Sequence, residues 1–90
     1  MSRVEKLYKK AINAPNNFPF QGLCSLAERV GFEFKRQDGS HRFYNHPGIG
    51  EVLNLQPLPK DSKTAKPYQV NQLLTIIAEH DLIKKDDKNG

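Results

Sequence analysis

The sequence predicts an α+β domain with the element order α-α-β-β-β-α, a three-stranded antiparallel sheet carrying its helices on one face. Three observations predict it. Apolar residues recur at helical spacing up to Val30 and again after Pro67. Between those stretches the period drops to two, over residues 32–37, 40–45 and 51–57. Turn-forming residues, Asp38-Gly39 and Pro47-Gly48, separate the alternating runs, where hairpins need them. Helices must bury their apolar stripes against a surface, and the sheet offers one. Placing all of them on one side leaves the other side open.

Each element has its own signals. Ser2 with Glu5 fits a capping box, and Val4, Leu7, Tyr8, Ala11 and Ile12 then form one stripe, with Lys6, Lys9 and Lys10 pointing away. Asn13-Ala14-Pro15 ends this helix, because the residue before proline is pushed out of the helical region. A second helix is expected over residues 19–30, with Pro19 in its first turn, Phe20, Leu23, Ala27 and Val30 inward, and Gly31 closing it. Cys24 reads as a small core hydrophobe, since no cation neighbours it in the chain to activate a thiolate. A type I′ turn at Asp38-Gly39 would set Gln37 opposite Ser40, Arg36 opposite His41 and Phe34 opposite Phe43. In the third strand Leu53 and Leu55 share one side, and Val52, Asn54 and Gln56 the other, until Pro57 and Pro59 stop it. Residues 60–66 read as a basic loop. Pro67 opens the last helix, whose stripe is Val70, Leu73, Leu74 and Ile77 and which fades near His80-Asp81. Residues 84–90 are charged and lack apolar positions, which is expected of a disordered tail after a single domain spanning residues 1–83.

Composition narrows the function classes. Ninety residues make one small domain, and a net charge of +4 favours an anionic partner such as nucleic acid or an acidic protein. The single cysteine excludes an internal disulfide and suits a reducing cytoplasm. No apolar run reaches the length of a membrane span, and the first residues lack the apolar core of a secretory signal, so a cytoplasmic protein is expected. His41, His46, His80 and Cys24 lack the close paired spacings of a metal site, and no glycine-rich phosphate loop or nucleophile elbow is present. No metal or other cofactor is therefore expected.

The best candidate for chemistry is His41, one residue into the strand that returns from Gly39. A hairpin holds an imidazole on rigid backbone, and Lys35, Arg36 and Arg42 lie close by on the same hairpin, a setting that suits an anionic substrate. Ser40 beside it does not make a nucleophile pair, because adjacent strand side chains point to opposite faces. His46 reads as a turn residue and His80 as a partner of the helix C-terminal dipole. Lys60, Lys63 and Lys66 read equally as a solvated loop or as RNA contacts. His41 shares a face with Phe43, and Arg42 shares the other with Tyr44. If Phe43 is core, His41 lies at the rim of the buried side. If Tyr44 is core, His41 and Phe43 look out from the open face, the arrangement that catalysis favours.

The stretch Gly39-Ser40-His41-Arg42-Phe43-Tyr44, continued by His46-Pro47, resembles the HicA family of bacterial toxins. So do Gly31-Phe32 through Arg36-Gln37, Asn54-Leu55-Gln56-Pro57, Lys66-Pro67-Tyr68-Gln69-Val70 and Gln72-Leu73-Leu74, so that the likeness runs from about Phe20 to Glu79. It makes the N-terminal helical part, residues 1–17, an extension. It implies a fold like that of double-stranded-RNA-binding domains, and a ribosome-independent mRNA interferase neutralised by a HicB-type antitoxin. The family's catalytic histidine maps onto His41, and Gly39 onto the turn residue that presents it. Many relatives carry histidine where this chain has Arg42, and shorter relatives carry a second one near the position of Leu58-Pro59.

RNA brings its own nucleophile, the 2′-hydroxyl. Imidazole titrates near neutrality (about 6.5 when unperturbed) and can act as base or acid. Arg36, Arg42 or Lys35 would stabilise the anionic transition state, and water, Tyr44 or another group would complete the second proton transfer. Ser40, Lys60, Lys63 and Lys66 join these as supporting or RNA-contacting candidates. The competing readings are a non-catalytic RNA-binding domain or a protein-interaction module of the same architecture.

Overall fold

In the computed structural model, which describes residues 2–83, the chain opens with α1 (Arg3–Asn13). The expected capping box is formed: Ser2 Oγ accepts from the Glu5 N–H and the Glu5 carboxylate accepts from the Ser2 N–H, each at 3.2 Å. A 3-10 turn (Pro15–Asn17) leads into α2 (Phe20–Arg29), with Val30 as its C-cap and Gly31 at φ +109. Then follow β1 (Glu33–Asp38), β2 (His41–His46), β3 (Glu51–Leu55), β4 (Pro57–Leu58), β5 (Asp61–Ala65) and α3 (Pro67–His80). The sheet order is β1-β2-β3, antiparallel throughout, with β4-β5 as a separate hairpin. This is the small α+β arrangement of a double-stranded-RNA-binding-like fold. No helix of the described residues is long and apolar enough to cross a membrane.

The core lies between one face of the sheet and the helices. Leu23, Leu26 and Ala27 of α2, Val70, Leu73 and Ile77 of α3, and Ala11 of α1 meet Tyr44, Leu53 and Leu55 from the sheet, all essentially inaccessible. The alternation in β3 holds: Leu53 and Leu55 are buried while Val52 remains 69% exposed. Tyr44 is the inward aromatic of β2, at 2% exposure, so His41 and Phe43 face out from the open side.

Two expectations need correction. The first is the register of the β1–β2 hairpin. Asp38 pairs with His41, Gln37 with Arg42, Arg36 with Phe43 and Phe34 with Tyr44, so the loop is Gly39-Ser40 rather than Asp38-Gly39. Gly39 alone has positive φ, +63, at the first central position, the sign pattern of a type II′ turn. A bulge between Phe34 and Arg36 inserts Lys35 as an extra residue. That bulge lets Arg36 stay on the outer face beside Phe43 while Phe34 falls on the Tyr44 side at the sheet edge, still 45% exposed, the two rings edge to face at 5.7 Å. The second correction concerns residues 60–66, expected as a loop. Asp61–Ala65 is a strand, and the third strand stops at Leu55, because Pro57-Leu58 leave it to pair with β5. β5 gains a second neighbour in the segment before α2: Thr64 bridges Pro19, and the Ala65 N–H donates to the Phe18 carbonyl at 2.9 Å. The ladder with β4 is local, but Asp61–Ala65 is mostly polar and exposed and lacks the apolar alternation that marks a strand, and its second neighbour is remote in sequence. The expected tail, residues 84–90, lies outside the described residues.

Two polar side chains tie elements together. His46 uses both ring nitrogens: Nε2 donates to the Val30 carbonyl at 2.9 Å and Nδ1 accepts from the Gly48 N–H at 3.2 Å. It thereby joins the end of β2 to the C-cap of α2, its ring edge-on to Phe32 at 5.1 Å. Gln69, in the first turn of α3 and 3% exposed, reaches the edge of β3. Its Nε2 donates to the Asn54 carbonyl at 2.9 Å and its Oε1 accepts from the Gln56 N–H at 3.0 Å. A side-chain amide thus supplies the donor and acceptor that a fourth strand would have supplied.

Gly31→Ala drives a Cβ into His46 Nε2 and forces a left-handed backbone on alanine. We expect a loss of about 2 kcal/mol or more, read from urea denaturation. Gln69→Leu leaves the part-buried Gln56 N–H and Asn54 carbonyl without their partner, at about 1 kcal/mol each, and the same titration should register a larger loss than for Gln72→Leu on the exposed face.

Candidate nucleic-acid interface and catalytic site

The open face of the sheet carries a stacked row of three side chains. His41 lies over Phe43 with ring centroids 6.2 Å apart and planes 21° from parallel. The Arg36 guanidinium lies over the other end of the row, 4.1 Å from the Phe43 centroid. Phe43 thus touches both a cation and the imidazole, and its contact with Arg36 follows from their pairing across the hairpin. Asp38, opposite His41, approaches Arg36 at 3.7 Å, an exposed pair that leaves most of the guanidinium to solvent.

Asn54 orients the imidazole. It pairs with Phe43 across β2–β3, and its Oδ1 lies 2.9 Å from His41 Nδ1. A carbonyl oxygen only accepts, so Nδ1 carries a proton, and in the neutral ring Nε2 is the nitrogen with the lone pair. Among the described residues Nε2 has no hydrogen-bond partner. The backbone carbonyl of Asn54 is the one held by Gln69, so the residue is anchored by the helix and its side chain anchors the histidine.

The other candidates separate. Arg42 and Tyr44 lie on the inner face, away from His41. Arg42 Nε donates to the Tyr44 hydroxyl at 3.2 Å, its Nη1 donates to Gln37 Oε1 at 3.1 Å, and its guanidinium lies 4.7 Å from the Phe34 ring centre. The Tyr44 hydroxyl donates to Glu28 of α2 at 3.2 Å. Burial pushes the Tyr44 phenol far above its ordinary range, which removes it as a proton shuttle near neutrality. The Tyr44 hydrogen bond raises Arg42 further still. Burial also raises the Cys24 thiol, more than the neighbouring Tyr44 and Arg42 lower it, so the cysteine is an inert part of the core. Gly39 and Ser40 form the exposed turn that begins the His41 strand.

Lys60, Lys63 and Lys66 lie along the β4–β5 hairpin and its exit, with Lys60 and Lys63 exposed and Lys66 at the N-cap position of α3. The hairpin is stiffened by Asp61, which accepts from the Thr64 hydroxyl at 2.7 Å and the Lys63 N–H at 3.1 Å; these two bonds hold its carboxyl below the usual range. His80 approaches Glu51 at 3.6 Å, joining the end of α3 to the start of β3. Among the described residues no group of three or more His, Cys, Asp or Glu side chains comes together to hold a metal ion.

Beside the stacked row lies a groove of about 630 Å³. Its floor is formed by β2 and β3, with Phe43, Asn45 and Val52; its far wall is formed by Tyr68 and Gln72 of α3; Lys35, at the bulge, stands over it. Sequence reasoning placed Asn54 on the outer side of β3 but gave it no task, and it gave none to Gln69, Tyr68 or Gln72. The alternation in β3 was visible; the cross-strand register that brings Asn54 to His41 was not.

A family model described as HicA toxin of bacterial toxin-antitoxin matches residues 21–78. No curated protein and no solved structure matches the chain. The matched span takes in α2, all five strands and most of α3, with every residue of the stacked row inside it, and leaves α1 outside. More than half of the chain is covered, and it therefore belongs to the HicA family, the toxins of bacterial toxin–antitoxin systems.

Proposed function

We propose that this toxin is a ribosome-independent mRNA interferase, a metal-independent endoribonuclease with His41 as its acid–base group, neutralised by a HicB-type antitoxin. The observation that carries the reading is the state of His41: Nδ1 is engaged by Asn54 at 2.9 Å, Nε2 is unengaged, and the Arg36 guanidinium sits over the ring stacked on it. Membership of a toxin family supports it.

The chemistry needs no nucleophile from the protein. Nε2 takes the proton of a ribose 2′-hydroxyl as that oxygen attacks the adjacent phosphorus. The bond from phosphorus to the 5′-oxygen breaks, and the leaving oxygen takes a proton from the imidazolium or from water. The products are a 2′,3′-cyclic phosphate and a 5′-hydroxyl. Arg36, and Lys35 beside it, oppose the charge that builds on the phosphorane, which is where fixed cations lower a barrier most. The Nδ1–H···Oδ1 bond keeps the tautomer and the ring direction through the cycle. Stacking on Phe43 limits the ring's motion, and orientation of this kind is itself worth rate.

His41→Ala is expected to lower cleavage of a single-stranded transcript by about 10²–10⁴-fold while leaving the urea midpoint unchanged, and the wild-type rate should persist in chelator. Wild-type cleavage by His41→Ala would refute the assignment. Asn54→Ala should reduce kcat by up to about 10²-fold with little change in KM, because it frees the ring without removing the base. The two arginines should separate. Arg36→Ala should slow cleavage by roughly 10²-fold at unchanged stability. Arg42→Ala should cost about 1–2 kcal/mol of stability and spare the cleavage rate, since its contacts are with Tyr44, Gln37 and Phe34. Single-turnover assays and denaturant melts of both variants decide this.

A further inference from the structure

We propose that the groove beside the stacked row is a subsite for an unpaired nucleobase, which seats single-stranded RNA next to the phosphodiester offered to His41. The inference rests on the nuclease reading for its purpose but not for its geometry. The groove, about 630 Å³, falls within the roughly 300–1,000 Å³ of small-ligand sites. It is continuous with the candidate site: Phe43 belongs to both the row and the groove floor, and Asn54, which holds His41, also lines it.

The lining has the chemistry of base recognition. Tyr68 is 64% exposed in the first turn of α3, an aromatic ring left uncovered at the groove wall, and Phe43 offers a second ring across the floor. Bases stack on such rings whatever their identity. Gln72 follows Tyr68 by four residues and so shares its helix face. Asn45 lines the groove from β2, with its Oδ1 buried beneath the surface and without a hydrogen-bond partner, so Gln72 is the amide that an occupant can reach. Side-chain amides offer a donor and an acceptor together, the pattern that base edges present. Asn54 and Gln69 are already committed to the scaffold, whereas Gln72 is exposed and has no side-chain partner among the described residues.

Charge suits an anionic occupant and backbone geometry narrows its class. Lys35 is the one charged residue among those lining the groove, its ammonium 3.6 Å from the Glu33 carboxylate in an exposed pair, and no carboxylate lines the groove itself. An extended peptide adding to β3 would meet an edge already taken at Asn54 and Gln56 by Gln69. Duplex RNA presents its bases stacked and paired, out of reach of a ring in a groove, so the occupant is an unpaired base.

The test uses the full chain with His41→Ala, so that RNA survives the measurement. Binding of a short single-stranded RNA of mixed sequence, and of the same sequence as a duplex, is followed by fluorescence anisotropy at fixed salt. Tyr68→Ala should weaken single-strand binding by roughly tenfold and leave duplex binding unchanged, and Tyr68→Phe should restore it. Gln72→Ala should alter the ranking of single strands that differ in one base. Both side chains are exposed, so the melts of these variants should match that of the parent. Unchanged single-strand affinity for Tyr68→Ala and Gln72→Ala overturns the subsite. So does a Tyr68→Ala protein that binds RNA normally but escapes its antitoxin, because the groove then belongs to the protein partner. A wild-type chain that does not cleave RNA, yet binds single strands in a Tyr68-dependent way, removes the nuclease reading and keeps the subsite.

Discussion

The arrangement depends on the burial of Tyr44. Its ring is closed in the core against Phe34 and the helices, and its hydroxyl escapes an unpaired burial by donating to Glu28 and accepting from Arg42. Strand alternation then leaves Phe43 and His41 no choice but the opposite face. A slip of one residue in β2 would exchange the two faces wholesale, so the same interaction that stabilises the core also aims the imidazole. The bulge at Lys35 reconciles the neighbouring strand with this demand. It gives Tyr44 an aromatic partner at the sheet edge and Phe43 a guanidinium on the opposite face, from residues only two apart in the chain.

Gln69 performs a second coupling. The sheet is only three strands wide, and β3 would otherwise present bare backbone at the place where the candidate site begins. One buried amide closes that edge and fixes Asn54 from behind, and Asn54 in turn fixes His41. The path runs from the first turn of α3 through a backbone carbonyl to a side-chain amide and then to the ring. A leucine or an alanine at position 69 could fill space there but could not pair both groups, which is why a polar residue is retained in a core otherwise built from apolar side chains.

The six cations of the two hairpins and the start of α3 divide into three groups with different surroundings. Lys35 and Arg36 stand over the open face. Lys60, Lys63 and Lys66 ride on the β4–β5 hairpin and its exit. Arg42 is turned to the helix side and spent on structure. Arg36 and Arg42 look alike on the chain, each close to the same turn. Cross-strand pairing separates them: Arg36 stands opposite Phe43, and Arg42 between Gln37 and Leu55. A net charge of +4 on so small a domain is therefore not spread evenly with respect to the candidate site.

Local rules carried by neighbouring residues were readable before any coordinates. The Ser2–Glu5 cap, the proline starts, the helical stripes, the alternation of β2 and β3 and the need for glycine at 39 each depend on residues a few positions apart, so the chain alone determined the helices, the main strands and the pair of faces between which His41 had to fall. What required the tertiary structure was every feature whose partner lies far along the chain. The hairpin register and its bulge were set by which aromatic the helices would accept. β5 pairs locally with β4, but only the folded chain brings Phe18 and Pro19 to its other side. Asn54 acquired a role because Leu55 settled opposite Arg42, and Gln69 because α3 begins beside the end of β3. Spacing along a chain encodes period and turn, but it does not encode which distant backbone groups will be left needing a partner. That is decided only when the layers close.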